Sequence, residues 1–445
     1  PNILFVLTDD QRNDFMSNVE NRFPYLHTPH MDRLAREGVR FENAFVTTPL
    51  CSPSRASFLT GRYAHSHGVR NNQQGDFDAD IAAWPALLQD AGYRTAFVGK
   101  WHMARTAAPR PGFDHWLGFS GQGEYVNCPL NENGHTIQSE GYITDVLTDH
   151  AVVWLTQQTG PFCLILSHKA AHAPFTPAPR HAEAFSDATL PEPPSWRSDL
   201  SDKPAWYRRN QRYGPFRRGW EAAAGQPTPP RIPPAPWQPR LEQPLNQLRT
   251  LLAVDDSLGR ILAAIEKTKR LDNTVVVFAG DNGYSFGEQR SFGKRFAYEP
   301  NIRIPLILRY PQRASAGARP TQMALNLDLA PTLLDLAGVD LPRAMQGRSL
   351  VPLLDGRTAD WRNSWLYEYI EEAATPGLPT MLGVRTDRWK YITAPRYPED
   401  VDELYDLAND PHELKNLARD PDHADTLRDL RHEFERLKEQ TALTA

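Results

Sequence analysis

The sequence predicts an α/β sandwich with a large, mainly parallel sheet flanked by helices, followed by a small C-terminal antiparallel sheet with a helix. Three observations carry this. Short, continuous apolar runs recur along most of the chain, segments of helical period lie between them, and past residue 354 the pattern changes to short strands and one charged helix. Strands alternating with helices make parallel crossovers, and a strand buried on both faces reads as unbroken apolar sequence. A chain of 445 residues can bury such a core. We expect a large α/β unit over 1–354 and a smaller α+β unit over 355–445.

The elements follow in order. The run 3–7 ends in Thr8-Asp9-Asp10, so a buried strand delivers two acids at its carboxyl end. Similar runs occupy 95–98, 162–166, 274–279 and 305–308, with helical patterns at 30–37, 82–91, 142–157 and 245–269. In open sheets of this kind, ligands bind beyond the carboxyl ends of the strands. Between 190 and 240 lie 12 of the 39 prolines, with Trp196, Trp206, Tyr207, Arg208, Arg209, Arg217, Arg218 and Trp220. A long insertion like this is either a wall facing an anionic ligand or a surface excursion held by Pro and Trp packing. Beyond 354, strands are expected at 365–370, 381–385 and 389–393. A helix is expected at 422–439, with Leu427, Leu430, Phe434 and Leu437 on one face.

The net charge of −5 gives no reason to expect nucleic acid as a partner. No apolar run has the length of a membrane helix. The chain opens directly on a core strand, so any targeting segment is not part of it. Three cysteines make no disulfide framework; Cys163 reads as packed, and Cys128 falls in a loop.

The stretch Cys51-Ser52-Pro53-Ser54-Arg55-Ala56-Ser57-Phe58-Leu59-Thr60-Gly61-Arg62 places a nucleophile at the mouth of a helix. Ser52 suits the N-cap and Pro53 the first helical position, where free backbone N–H groups favour an anion. Asp9 and Asp10 close one strand, and Asp281-Asn282 follow another. Together they offer the oxygen ligands that hard cations such as Ca²⁺ or Mg²⁺ prefer, although Asp-Asn-Gly is also a common turn. A zinc site is disfavoured by the absence of a His or thiolate cluster.

The Cys51 stretch resembles the signature of the type I sulfatases, in which Cys-x-Pro-Ser-Arg directs oxidation of the cysteine to formylglycine. The second signature of that family follows as Gly92-Tyr93-Arg94-Thr95-Ala96-Phe97-Val98-Gly99-Lys100-Trp101-His102. The resemblance implies an alkaline-phosphatase-like fold and a calcium site made of Asp9, Asp10, Asp281, Asn282 and the modified Cys51. It also implies a soluble enzyme of periplasmic, secreted or lysosome-like location, activated by a formylglycine-generating or anaerobic sulfatase-maturating enzyme. Carried over residue by residue, Arg55 activates the nucleophile, and Lys100 contacts the aldehyde hydrate and the sulfate. His102 removes a proton from the second hydroxyl of the hydrate, and His172 or Lys294 protonates the departing alcohol. An unconverted Cys51 should then be nearly inactive. Three acids offset three fixed cations, and a divalent ion leaves the pocket with about two positive charges, which suits a sulfate ester. His65, His67 and His168 read as structural hydrogen-bonders.

The alcohol is not chosen by these motifs. The stretches 123–134 and 141–147, the stretches 281–284 and 294–299, and Tyr367-Glu368-Tyr369 are similar to those of N-acetylglucosamine-6-sulfatases, so a 6-O-sulfated glucosamine is the first expectation. Pro379-Thr380-Met381-Leu382-Gly383 departs from that branch, which often carries a histidine there. Two other readings stand beside this one: a phosphonate or phosphate monoester hydrolase of the same superfamily, and a non-catalytic binder of sulfated glycans. The first commonly has His after the second metal-binding Asp, where this chain has Asn282. The second would be expected to have lost charged positions that are all present here.

Overall fold

The computed structural model describes residues 1–19, 23–73, 75–104, 106–211, 236–237, 242–375 and 377–443. Among the described residues the centre is a nine-stranded sheet. Its strands are β1 (Asn2–Thr8), β2 (Val39–Arg40), β3 (Arg94–Lys100), β4 (His115–Phe119), β5 (Pro129–Glu132), β6 (His135–Gln138), β7 (Phe162–Ser167), β8 (Thr274–Gly280) and β9 (Leu306–Arg309). They lie in the order β2-β9-β8-β1-β7-β3-β4-β5-β6. The five central strands, β8 to β4, run parallel. The outer strands join them through antiparallel pairings.

The helices that cover the sheet are α1 (Pro29–Glu37), α2 (Cys51–Thr60), α3 (Trp84–Asp90), α4 (Ile143–Thr156), α5 (Glu242–Lys267) and α6 (Leu329–Ala337). Successive strand residues point to opposite faces, and both faces are buried. Ile3, Phe5 and Leu7 pack with Phe97, Ile165 and Val277 beneath α2, α3 and α6. Leu4 and Val6 pack with Val98, Leu164 and Val276 beneath α1, α4 and α5. Cys163 packs on the first of these faces. The short strand β4 and the β5–β6 hairpin were not expected: β4 is buried at four positions but is only five residues long, and the hairpin is thin in apolar content, with Leu130 the buried residue of β5, so periodicity gives it little signal.

At the C-terminal end, β10 (Ser364–Tyr369), β11 (Met381–Thr386), β12 (Trp389–Thr393) and β13 (Glu403–Asp406) form an antiparallel meander. Helix α7 (Ala424–Thr441) buries Leu427, Leu430, Phe434 and Leu437 against it. The same core takes in Leu50, Phe45, Tyr63 and Phe296, so this sheet buttresses the segment that leads into Cys51. Trp196, Trp206 and Tyr207 of the insertion are buried, and the Tyr207 hydroxyl donates to Gln289 O at 2.8 Å. Packing therefore accounts for these three; Arg217, Arg218 and Trp220 lie outside the described residues. No described helix is long and apolar enough to cross a membrane.

Candidate active site

The parallel register of β1 and β8 sets Thr8 beside Gly280, so the acids that follow each strand meet. Asp10 N donates to Asp281 Oδ1 at 3.1 Å, and Asn282 Nδ2 donates to Asp10 Oδ1 at 2.7 Å. The segment after β7 folds across β1: Asp9 N donates to Ala170 O at 2.9 Å, and Ala171 N to Asp9 O at 2.7 Å. This carries His172 to the same place, with Nε2 3.9 Å from Asp10 Oδ2.

Gly99 makes the approach of Lys100 possible. Its φ of +120° belongs to glycine, and a Cβ there would sit 1.9 Å from Ser167 O. Lys100 is fully buried, and its ammonium pairs with Asp9 Oδ2 and Gln122 Oε1.

Helix α2 begins at Cys51 and is buried throughout, with Leu50 as its N-cap. The sequence reading placed the cap at Ser52. Instead the Ser52 hydroxyl donates to His102 O at 2.5 Å, and Ser52 N to Asn72 Oδ1 at 3.0 Å. Pro53, the third helical residue, is tolerated because first-turn N–H groups have no partner within the helix.

Arg55 acts as a strut. It donates from Nε to Asp281 Oδ2 and from Nη2 to Asp9 Oδ2, both at 2.8 Å. Its Nη1 reaches Lys100 O and Ser167 Oγ at 2.7 Å. One guanidinium thus ties the ends of β1, β8, β3 and β7, which suits its planar fork of donors. Lys294 Nζ lies 2.7 Å from Cys51 Sγ, contacts Asp10 Oδ1, and is 3.8 Å from Asp9 Oδ1. Every residue singled out by the sequence for chemistry or metal is thus brought to one place.

Burial pushes the Asp9 carboxyl upward, but Lys100, His172, Lys294 and Arg55 outweigh it and hold Asp9 well below the usual range. Burial and the neighbouring Asp9 charge push Asp281 well above that range, and burial raises Asp10. Burial and Asp9 oppose ionisation of the Cys51 thiol, yet Lys294, Lys100 and His102 hold it well below the ordinary thiol value. Burial and Lys100 bring His102 down to about 4, so its ring is neutral near neutrality.

Sequence reasoning missed Gln122, which follows β4. Its Nε2 lies 3.0 Å from His102 Nε2 while its Oε1 meets Lys100. The available signal was Gly121-Gln122-Gly123, where both glycines take positive φ, 56° and 63°. It also missed Ser167 and Tyr125, whose hydroxyl donates to His172 O at 2.6 Å. Tyr367, Glu368 and Tyr369, by contrast, are buried and engaged with Arg295 O, His65 and Thr375. His67 and His168 meet Ser57 and Ser257, so all three structural histidines have hydrogen-bond partners.

The family model described as Sulfatase matches residues 1–339, and that of N-sulphoglucosamine sulphohydrolase, C-terminal, matches 287–440. An N-acetylglucosamine-6-O-sulfatase of Bacteroides thetaiotaomicron is 35% identical over 99% of this chain and 86% of its own length. The human N-acetylglucosamine-6-sulfatase is 30% identical over 85% of this chain and 69% of its own. A protein solved with its substrate, D-glucosamine-2-N,6-O-disulfate, superposes with a TM-score of 0.85 at 33% identity, covering 99% of this chain and 98% of that one. The chain belongs to the sulfatase family. It is a hydrolase of sulfate esters on the alkaline-phosphatase-like fold.

Proposed function

We propose that this sulfatase removes sulfate from a sulfated carbohydrate, with 6-O-sulfated N-acetylglucosamine or a related glucosamine as substrate. The supporting observation is the buried cluster around Cys51, where three acids and three fixed cations converge on one nucleophile. The sugar preference rests on the relatives of 35% and 33% identity named above.

The acids fit a hard cation. Oxygens of Asp9, Asp10 and Asp281 lie within 4.8 Å of one another, and Asn282 Oδ1 is buried with no hydrogen-bond partner. Asp9, Cys51 and His172 form a second group at similar spacing. The all-oxygen set is the better account, because it includes the orphaned Asn282 oxygen and the carboxyl of Asp281, whose negative charge burial disfavours. Asp9, Asp10, Asp281 and Asn282 would hold Ca²⁺, or Mg²⁺, and the ion would supply a fixed charge that polarises the nucleophile. Cys51, oxidised to formylglycine by a maturating enzyme, would supply that nucleophile as a hydrate.

The remaining residues divide the work. Lys100 and Lys294 hold the sulfate oxygens and balance the charge that builds on them. Arg55 keeps Asp9 and Asp281 in register. His172 gives a proton to the departing sugar oxygen. His102, neutral near neutrality, serves proton transfer on the Cys51 side, where geometry and ring charge suit it. Residues 1–354 carry this chemistry, and 355–445 support the approach to Cys51.

The test is sulfate release from N-acetylglucosamine 6-sulfate, glucosamine 2-N,6-O-disulfate and their positional isomers, beside an aryl phosphonate ester. Selective release of the 6-sulfate supports the proposal. Release from another position overturns the sugar assignment, and turnover of the phosphonate alone overturns the sulfate assignment.

A further inference from the structure

Lys169 lies between β7 and His172, is 1% exposed, and has no part in the chemistry above. Its ammonium donates to Gln122 O at 2.9 Å and to Ala173 O at 3.3 Å, and sits 4.8 Å from the centre of the Tyr125 ring. Among the described residues, no carboxylate oxygen stands within ion-pairing distance of it. Burial, followed by the repulsion of Lys100, brings it down to about 8. A buried cation held by carbonyls and a ring face is costly, and an apolar side chain of the same length would avoid that cost. The charge therefore serves something other than packing.

The two carbonyls indicate what. Gln122 is the residue whose side chain joins Lys100 to His102. Ala173 O also accepts from His172 Nδ1 at 2.9 Å, which leaves His172 Nε2 for the Asp10 side. Tyr125 closes the arrangement, with its ring beneath the ammonium and its hydroxyl on His172 O. We propose that Lys169 is a positioning residue that fixes both proton-transfer histidines at once, His102 through Gln122 and His172 through Ala173. The inference rests on the reading of this site as the hydrolytic centre.

Lys169→Met, Gln122→Ala and the double variant form the test, with Lys169→Arg as the conservative control. Lys169→Met lowers kcat by about 10- to 100-fold, the scale of a small misplacement of catalytic groups, with KM changed less than about threefold. Lys169→Arg recovers part of that loss. The double variant is little slower than Lys169→Met, because the path to His102 is already lost. A folded Lys169→Met with wild-type kcat, or losses that multiply in the double variant, overturns the proposal. Should Lys169→Met not fold, the same cycle is read with Lys169→Gln. Wild-type protein that releases no sulfate overturns the functional reading instead. The ring NMR signals of His102 and His172 then decide the present one: shifts unchanged in Lys169→Met count against it.

Discussion

Lys294 Nζ stands 2.7 Å from Cys51 Sγ, so a fixed cation is built against the nucleophile before any substrate arrives. Burial opposes the charge of Lys294, but Asp10, Cys51 and Asp9 outweigh it and hold the ammonium protonated. Lys294→Met should lower kcat by about 100-fold or more, the scale seen when one preorganised donor is removed, and sulfate release measures it.

Chelation provides a second test. If Asp9, Asp10, Asp281 and Asn282 hold Ca²⁺, exhaustive treatment with a chelator should abolish turnover and lower Tm. Added Ca²⁺ should restore both, because a ligand that binds only the folded state stabilises it. Asp281→Asn should weaken the response to added metal.

Gly99→Ala tests the close approach of β3 to β7. The new Cβ would strike Ser167 O in a backbone region closed to alanine. We expect a loss of about 2–4 kcal/mol in stability, read by denaturant unfolding, together with loss of activity from displacement of Lys100.

His65 joins the two parts of the molecule. Its Nδ1 meets Glu368 Oε2 at 2.7 Å and its Nε2 meets Thr441 O at 2.8 Å. Both partners are acceptors, so the ring carries both protons. Burial opposes this, but Glu368 and Thr441 hold its pKa above the ordinary value of 6.5. A raised folded value means that the stabilisation is full below about pH 6.5 and is lost as pH rises through the folded value. The Tm difference between wild type and His65→Gln should therefore be larger at pH 5.5 than at pH 9.

Buried His67 and His168 have the opposite sign. Burial brings them to about 3 and about 4, so the unfolded chain takes up protons first as pH falls below about 6.5. Their share of stability is present above that pH and declines toward pH 4. His168→Asn should flatten the acid limb of a Tm–pH profile.

The central strands were legible because burial on both faces leaves an unbroken apolar run, as in 3–7 and 274–279. The acids at their ends were legible because an open parallel sheet binds ligands there. The N-cap was misplaced: the Ser52 hydroxyl is claimed by His102 O, a contact 50 residues away that local propensity does not contain. Gln122 and Lys169 escaped for a related reason. Each acts through carbonyls or side chains brought close only by the parallel register of the strands and the loops that follow them. Tyr367-Glu368-Tyr369 pointed to the branch of the relatives found through packing, since these residues are buried and engaged with Arg295 O, His65 and Thr375.

The most direct measurement is sulfate release from N-acetylglucosamine 6-sulfate by wild-type protein, with the Cys51 aldehyde confirmed by mass spectrometry, beside Cys51→Ala. The account predicts turnover by the first and none by the second, with the fold of both intact. Equal release by the two would contradict Cys51 as the nucleophile.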